Sequence, residues 1–173
     1  MNRYGVSVDE IGFESLINDL RTKYLFPLSH YFFPEWTGSS LDSHRAFVVK
    51  YKVGEDIDLS YHYDNSEVTL NVSLNNDYIG GELFFGPMRY EDSTLKFGYE
   101  HKKGEGVLHR GQQMHGAFPI TEGERYNLII WMRSSFIRNE CCPMCDNTPE
   151  LEPVREGTGD GFTTDVHDLC SVV

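Results

Sequence analysis

No cysteine occurs before position 141, and all four cysteines of the chain fall in its last 33 residues. That argues against a disulfide-stapled secreted scaffold, so an intracellular location is expected. No apolar run reaches 18 residues, so no membrane-spanning segment and no membrane partner are expected. The opening Met-Asn-Arg-Tyr-Gly-Val-Ser has no apolar h-region, and a secretory signal is not expected either. Basic residues are scarce: 15 Lys and Arg stand against 27 Asp and Glu, for a net charge of -12. Most of that, -7, lies in residues 139–173, where eight acids meet only Arg155. With no basic stripe, nucleic acid is not an expected partner.

What is present suits strands and turns. The chain has 173 residues, enough for one domain with a full core, and is rich in aromatics (13%) and glycine (16 residues). Three segments are expected: a helical and aromatic support over 1–44, a core over 45–136, and an acidic, cysteine-bearing extension over 137–173. Residues 7–25 read as an amphipathic helix with a Ser7/Glu10 capping box. Its buried face would be Phe13, Leu16, Ile17, Leu20 and Tyr24, and Pro27 would end it. From Arg45 onward about eight short strands alternate with glycine-marked turns, a number that fits a double-sheet jelly roll. No helical patterns separate them, which disfavours a parallel α/β sheet. The fold class is therefore mainly β (α+β), with an N-terminal packing helix.

Two strands alternate cleanly. Val68, Leu70, Val72 and Leu74 share one face, and Glu67, Thr69, Asn71 and Ser73 the other. In 125–133, Arg125, Asn127, Ile129, Trp131 and Arg133 lie opposite Tyr126, Leu128, Ile130 and Met132. Polar and apolar residues mixed on one face suggest a pocket wall. Trp131 itself reads as core or as lining.

The chemistry starts at Leu59-Ser60-Tyr61-His62-Tyr63-Asp64. Side chains two apart on a strand share a face, so His62 and Asp64 can aim an imidazole and a carboxylate at one point. His115, in Gln113-Met114-His115-Gly116, is the candidate third donor, with His109 its rival. Two His and one carboxylate with open positions is the donor set of non-haem Fe(II) oxygenases. Arg125 lies ten residues after His115 and can take a carboxylate in a bidentate fork. Fe(II), Asp64 and Arg125 sum to +2, so a dianionic keto-acid would neutralise the site. Asn127, on the same face, would bond the same carboxylate or make a plain strand contact. Tyr51 would offer a pocket hydroxyl or pack as core.

The run His62-x-Asp64, Gly80-Gly81-Glu82-Leu83-Phe84-Phe85, Gly106-Val107-Leu108, His115 and Gly123-Glu124-Arg125-Tyr126-Asn127-Leu128 resembles the 2-oxoglutarate- and Fe(II)-dependent dioxygenases of the prolyl/lysyl hydroxylase branch. The resemblance spans roughly residues 45–133. It implies a double-stranded β-helix, with His62, Asp64 and His115 as iron ligands and Arg125 on the 2-oxoglutarate C5 carboxylate. It also implies O2 as co-substrate, ascorbate as an accessory reductant, and oxidative decarboxylation coupled to hydroxylation. The substrate would be a protein side chain such as Lys or Pro, or a small molecule. Arg rather than Lys at 125 leans to the lysyl side, and Glu55-Asp56-Ile57-Asp58 makes the segment before the clip longer and more acidic than usual.

Two other readings stay open. One is a catalytically silent, cupin-like binding protein. The other is a zinc hydrolase with Glu67 or Glu82 as general base. Separately, Cys142-x-x-Cys145 and His167-x-x-Cys170 have four-ligand zinc spacing across 21 residues, against the reading of free thiols. His30, His44 and His101 read as surface or packing histidines.

Overall fold

Strand alternation decides the architecture, because each long strand has two usable faces. In the computed structural model, which describes residues 5–151, two antiparallel sheets form a jelly roll with helices against one side. The larger sheet holds β1 (Val6–Ser7), β2 (Ser43–Lys52), β4 (Val68–Ser73), β5 (Tyr78–Gly80), β8 (Gly106–Arg110) and β10 (Ile120–Arg133). Its order is β1-β2-β10-β4-β8, with β5 paired to the start of β10. The smaller sheet is β3-β9-β6-β7, from β3 (Leu59–His62), β6 (Leu83–Met88), β7 (Phe97–Tyr99) and β9 (Gln113–Ala117).

Val68, Ile130 and Met132 are fully buried, and together with Ala46 they pack against Val8, Ile17, Leu25 and Leu41 of the N-terminal segment. That cluster glues the outer face of the large sheet to its helical support. Each such side chain contributes roughly 1.5–3 kcal/mol through burial. The opposite face of the same strands turns toward the smaller sheet and carries the polar set.

The helical segment differs from the expectation in three ways. Ser7 is not a cap: it lies on β1, opposite Phe47 on β2, and the helical turn that follows at Asp9–Phe13 has no side-chain cap. The main rod runs through α1 (Glu14–Leu20), a wide turn at Arg21–Leu25 and α2 (Phe26–Phe32), followed by a short α3 (Pro34–Thr37). Pro27 sits in the first turn of α2 and does not end the rod. The Phe26 N–H reaches back five residues to the Arg21 carbonyl, so the helix is already widened where the proline ring must fit. The buried side is Ile17, Arg21, Leu25 and Ser29, whereas Phe13, Leu16 and Tyr24 are exposed.

Strand edges also move. β10 begins at Ile120 instead of Arg125, β6 reaches Met88, and β1 and β5 carry no strand signal of their own. Both are two- or three-residue strands recruited by a longer neighbour, which no local pattern announces. Beyond β10, α4 (Ser135–Arg138) leads into a turn in which Cys142 is buried. No helix among the described residues is long and apolar enough to cross a membrane.

Candidate metal centre

His62 and His115 face each other across the β3–β9 pairing, ring centroids 4.3 Å apart. Asp64 follows just past β3. Its N–H donates to the Gly111 carbonyl (2.8 Å), and its own carbonyl accepts from Gln112 Nε2 (3.0 Å). The β8–β9 turn thus fixes the carboxylate. Gly111 has to be glycine there, since a Cβ would lie 1.9 Å from the Ser66 carbonyl oxygen.

The three donors converge. Their ligand atoms all lie within 4.8 Å of one another, and this is the only such group of three or more among the described residues. His62 Nε2 is 3.5 Å from Asp64 Oδ1, and His115 Nε2 is 3.5 Å from Asp64 Oδ2. Each imidazole donates Nδ1–H to a carbonyl two residues earlier: His62 to Ser60 (2.6 Å) and His115 to Gln113 (2.8 Å). That fixes Nδ1 as the outward donor of each ring and turns both Nε2 atoms toward the carboxylate, free to ligate once deprotonated. Thr69 donates to Asp64 Oδ2 (2.7 Å). The set fits a divalent cation with part of its coordination left open.

Electrostatics agree with that donor set. Burial works to raise the Asp64 pKa, but the charge of His115 and hydrogen bonds from His62 and Thr69 outweigh it and hold the carboxyl at about 2. Burial lowers His115. For His62 burial also lowers the pKa, but its link to Asp64 leaves it raised overall. His109, buried behind, meets His115 edge-on at 4.6 Å and is pushed down to about 4, chiefly by burial. It lies outside the converging group.

A cavity of about 510 Å³ opens from this point between the sheets. Phe47, Val49, Leu83, Ile129 and Trp131 give it apolar walls, and Thr69, Asn71, Asn127 and Arg125 carry polarity inward. Trp131 therefore lines the cavity. Arg125 is 99% buried, opposite Tyr51 in the β10–β2 register. Its Nη1 donates to the Gly81 carbonyl and its Nε to Asn127 Oδ1 (2.8 Å), while Tyr51 and Tyr78 stack near its guanidinium at 5.4 and 5.7 Å. Gly81, at φ +69°, bends the chain to bring that carbonyl in. Burial lowers the Arg125 pKa and pushes the Tyr51 hydroxyl up to about 12, so Tyr51 stays a neutral donor.

Asn127 makes its side-chain bonds inside the protein. It accepts from Arg125 and donates to Asn71 Oδ1 (2.6 Å), and its amide lies 3.2 Å from His101 Nδ1. It orients the guanidinium. His101 is no surface residue but a buried member of this network, bonded through Nε2 to the Glu105 carbonyl (2.8 Å). Nothing in its sequence neighbourhood signalled that, because the partner lies 26 residues away. His44 pairs with Asp9 (3.1 Å) and His30 bonds Thr37 (2.9 Å).

The hydrolase reading loses its bases. Glu67 is fully buried and clamped by Arg138 (3.0 and 3.1 Å) and the Ser134 N–H (2.6 Å), and Glu82 is exposed and outside the cavity lining. Of the cysteine set, Cys142 is buried with its Sγ accepting from the Met144 N–H (3.4 Å), and Cys145 is exposed. His167 and Cys170 lie outside the described residues.

An OGFOD2-like domain matches residues 1–38. The 2-oxoglutarate and iron-dependent oxygenase domain-containing protein 2 of Xenopus tropicalis is 55% identical over 95% of this chain and 48% of its own length. The human protein of the same name is 48% identical over 99% of this chain and 51% of its own. The chain thus spans about half the length of these curated relatives. Among solved structures, the viral collagen prolyl hydroxylase of Paramecium Bursaria Chlorella virus-1, in a 2OG complex, superposes with a TM-score of 0.55. It is 19% identical, covering 77% of this chain and 80% of that one, a likeness of fold. Along nearly its whole length the chain is similar in sequence to the 2-oxoglutarate and iron-dependent oxygenase domain-containing proteins, and it shares its jelly-roll fold with solved 2OG oxygenase structures.

Proposed function

We propose that the chain is an Fe(II)- and 2-oxoglutarate-dependent dioxygenase that couples oxidative decarboxylation of 2-oxoglutarate to hydroxylation of a substrate. The observation that carries this reading is the convergence of His62, Asp64 and His115 on one point of a cavity that also holds the buried, oriented guanidinium of Arg125. His62, Asp64 and His115 would hold the iron, and Arg125 the far carboxylate of 2-oxoglutarate. Bound iron, with 2-oxoglutarate and O2, supplies the oxidising chemistry.

The protein's own contribution is positional. The Ser60 and Gln113 carbonyls keep both imidazoles in the liganding tautomer, and Thr69 fixes one carboxylate oxygen. Asn127 and Gly81 occupy two edges of the guanidinium and leave its other terminal nitrogen for the keto-acid, with Tyr51 as a neutral hydroxyl nearby. The apolar walls keep water away from the reacting centre. A protein side chain such as Lys or Pro, or a small molecule, is the substrate class, with ascorbate as accessory reductant and an intracellular setting.

The test is anaerobic titration of the Fe(II)-loaded protein with 2-oxoglutarate, watched for a visible metal-to-ligand charge-transfer band. A saturable band is the expected result. Its absence with iron demonstrably bound would overturn the reading in favour of a ligand-binding protein.

A further inference from the structure

The N-terminal rod buries one side and leaves an apolar stripe uncovered on another. Against the fold lie Ile17, Arg21, Leu25 and Ser29, with Leu20, Phe26 and Phe33 packed partly buried beside them. Facing solvent are Phe13, Leu16, Tyr24, Leu28, Tyr31 and Phe32, with Leu16 60%, Tyr24 66% and Tyr31 78% exposed. Their spacing puts them on or beside one helical face through most of the rod, and the Tyr31 and Phe32 rings meet edge-on at 5.1 Å. Six large apolar side chains facing water along one short segment is what hydrophobic burial disfavours, unless something covers the stripe.

The area identifies a cover of standard size. Four of the six are aromatic, each on the order of 150–250 Å² in full, and with the two leucines they offer roughly 700 Å² at these exposures. The largest apolar patch on a typical monomer is about 300–600 Å². One partner's share of a standard interface is about 800 Å². The stripe is also flanked by exposed charges of both signs, Asp19 and Lys23, which pair with each other at 2.7 Å. Antiparallel pairing about a two-fold axis near the middle of the stripe, between Asp19 and Lys23, would set Asp19 of one copy beside Lys23 of the other. We propose that this face binds a second copy of the chain, helix against helix about a two-fold axis, to make a homodimer. This inference does not depend on the iron chemistry, since the stripe runs along the support and not around the cavity.

The test is sedimentation equilibrium of the purified chain from about 1 to 100 µM, together with the variant Tyr24→Glu/Tyr31→Glu. The expected result is a monomer–dimer equilibrium in the wild type and a monomer in the variant, with at least a tenfold rise in dissociation constant. Both positions are largely exposed, so the variant should keep the wild-type far-UV circular dichroism and melting temperature. A wild-type chain that stays monomeric at 100 µM overturns the proposal and assigns the stripe to a different cover. A dimer that survives the double substitution overturns it too, by placing the interface elsewhere. The wild-type concentration series decides the matter even if the variant fails to fold.

Discussion

Asp64 and Glu67 are three residues apart, both buried carboxylates, and they meet opposite fates. Glu67 is closed off: Arg138 reaches it through Nε and Nη2, the Ser134 N–H donates to it, and Asn65 ties the same arginine (3.1 Å). Asp64 is restrained by Thr69 but keeps its oxygens facing two imidazole Nε2 atoms across 3.5 Å gaps, at the edge of a cavity. One cluster satisfies itself and serves as structure. The other is held in place while its charge is left for something the chain does not supply. A buried charge is informative about function when its surroundings fix it without completing it.

The sharpest way to break the comparison is to exchange the consequences. His62→Ala should abolish iron binding and 2-oxoglutarate turnover while changing stability by no more than about 1 kcal/mol. Parallel metal analysis and thermal melts check this, and a variant that unfolds but still binds iron when folded would merge the two clusters. Arg138→Ala should do the converse. It strands Glu67 in the interior and should cost about 3–5 kcal/mol of stability, measured by chemical denaturation, while the folded fraction still takes up iron.

Arg125→Ala sharpens the contrast within the site. Loss of a buried charged partner is worth about 2–5 kcal/mol, so 2-oxoglutarate affinity should fall ~30-fold or more with iron affinity unchanged. Equal loss of both in calorimetric titrations would mean that the fork is misplaced. The smallest effect is in pH. His62 is raised by its link to Asp64, whereas His115 is lowered by burial and Asp64 stays ionised to about 2. Metal binding should therefore displace one proton, from His62. Anaerobic Fe(II) affinity should drop about tenfold per pH unit once pH falls below the His62 pKa and level off above it. A slope of two would count His115 among the displaced protons.

Much of the site was legible because period-2 alternation is a property of the chain. His62 and Asp64, Thr69 and Asn71, and Arg125, Asn127 and Trp131 each share a face by arithmetic, and the cavity lining contains all of them. What alternation cannot give is who bonds whom. Asn127, expected to bond the ligand's carboxylate or to make a plain strand contact, holds Arg125 at the cavity wall, and His101 joined that network from a loop with no pattern of its own. The helix misled for a related reason. Of its expected face Phe13, Leu16, Ile17, Leu20 and Tyr24, only Ile17 and in part Leu20 turn inward, because β2 and Leu41 take the side that also carries Leu25.

The sequence by itself determined the strand-and-turn class, the donor types at 62, 64, 115 and 125, and the faces on which they stand. Local stereochemistry and side-chain chemistry are enough for those. Only the tertiary structure decided that His115 and not His109 joins the converging group. It also decided that Glu67 belongs to Arg138, and that an apolar face of the rod stays uncovered. Each of these depends on contacts between residues far apart in the chain, 71 positions in the case of Glu67 and Arg138, which packing of the two sheets and their support sets and no local pattern encodes.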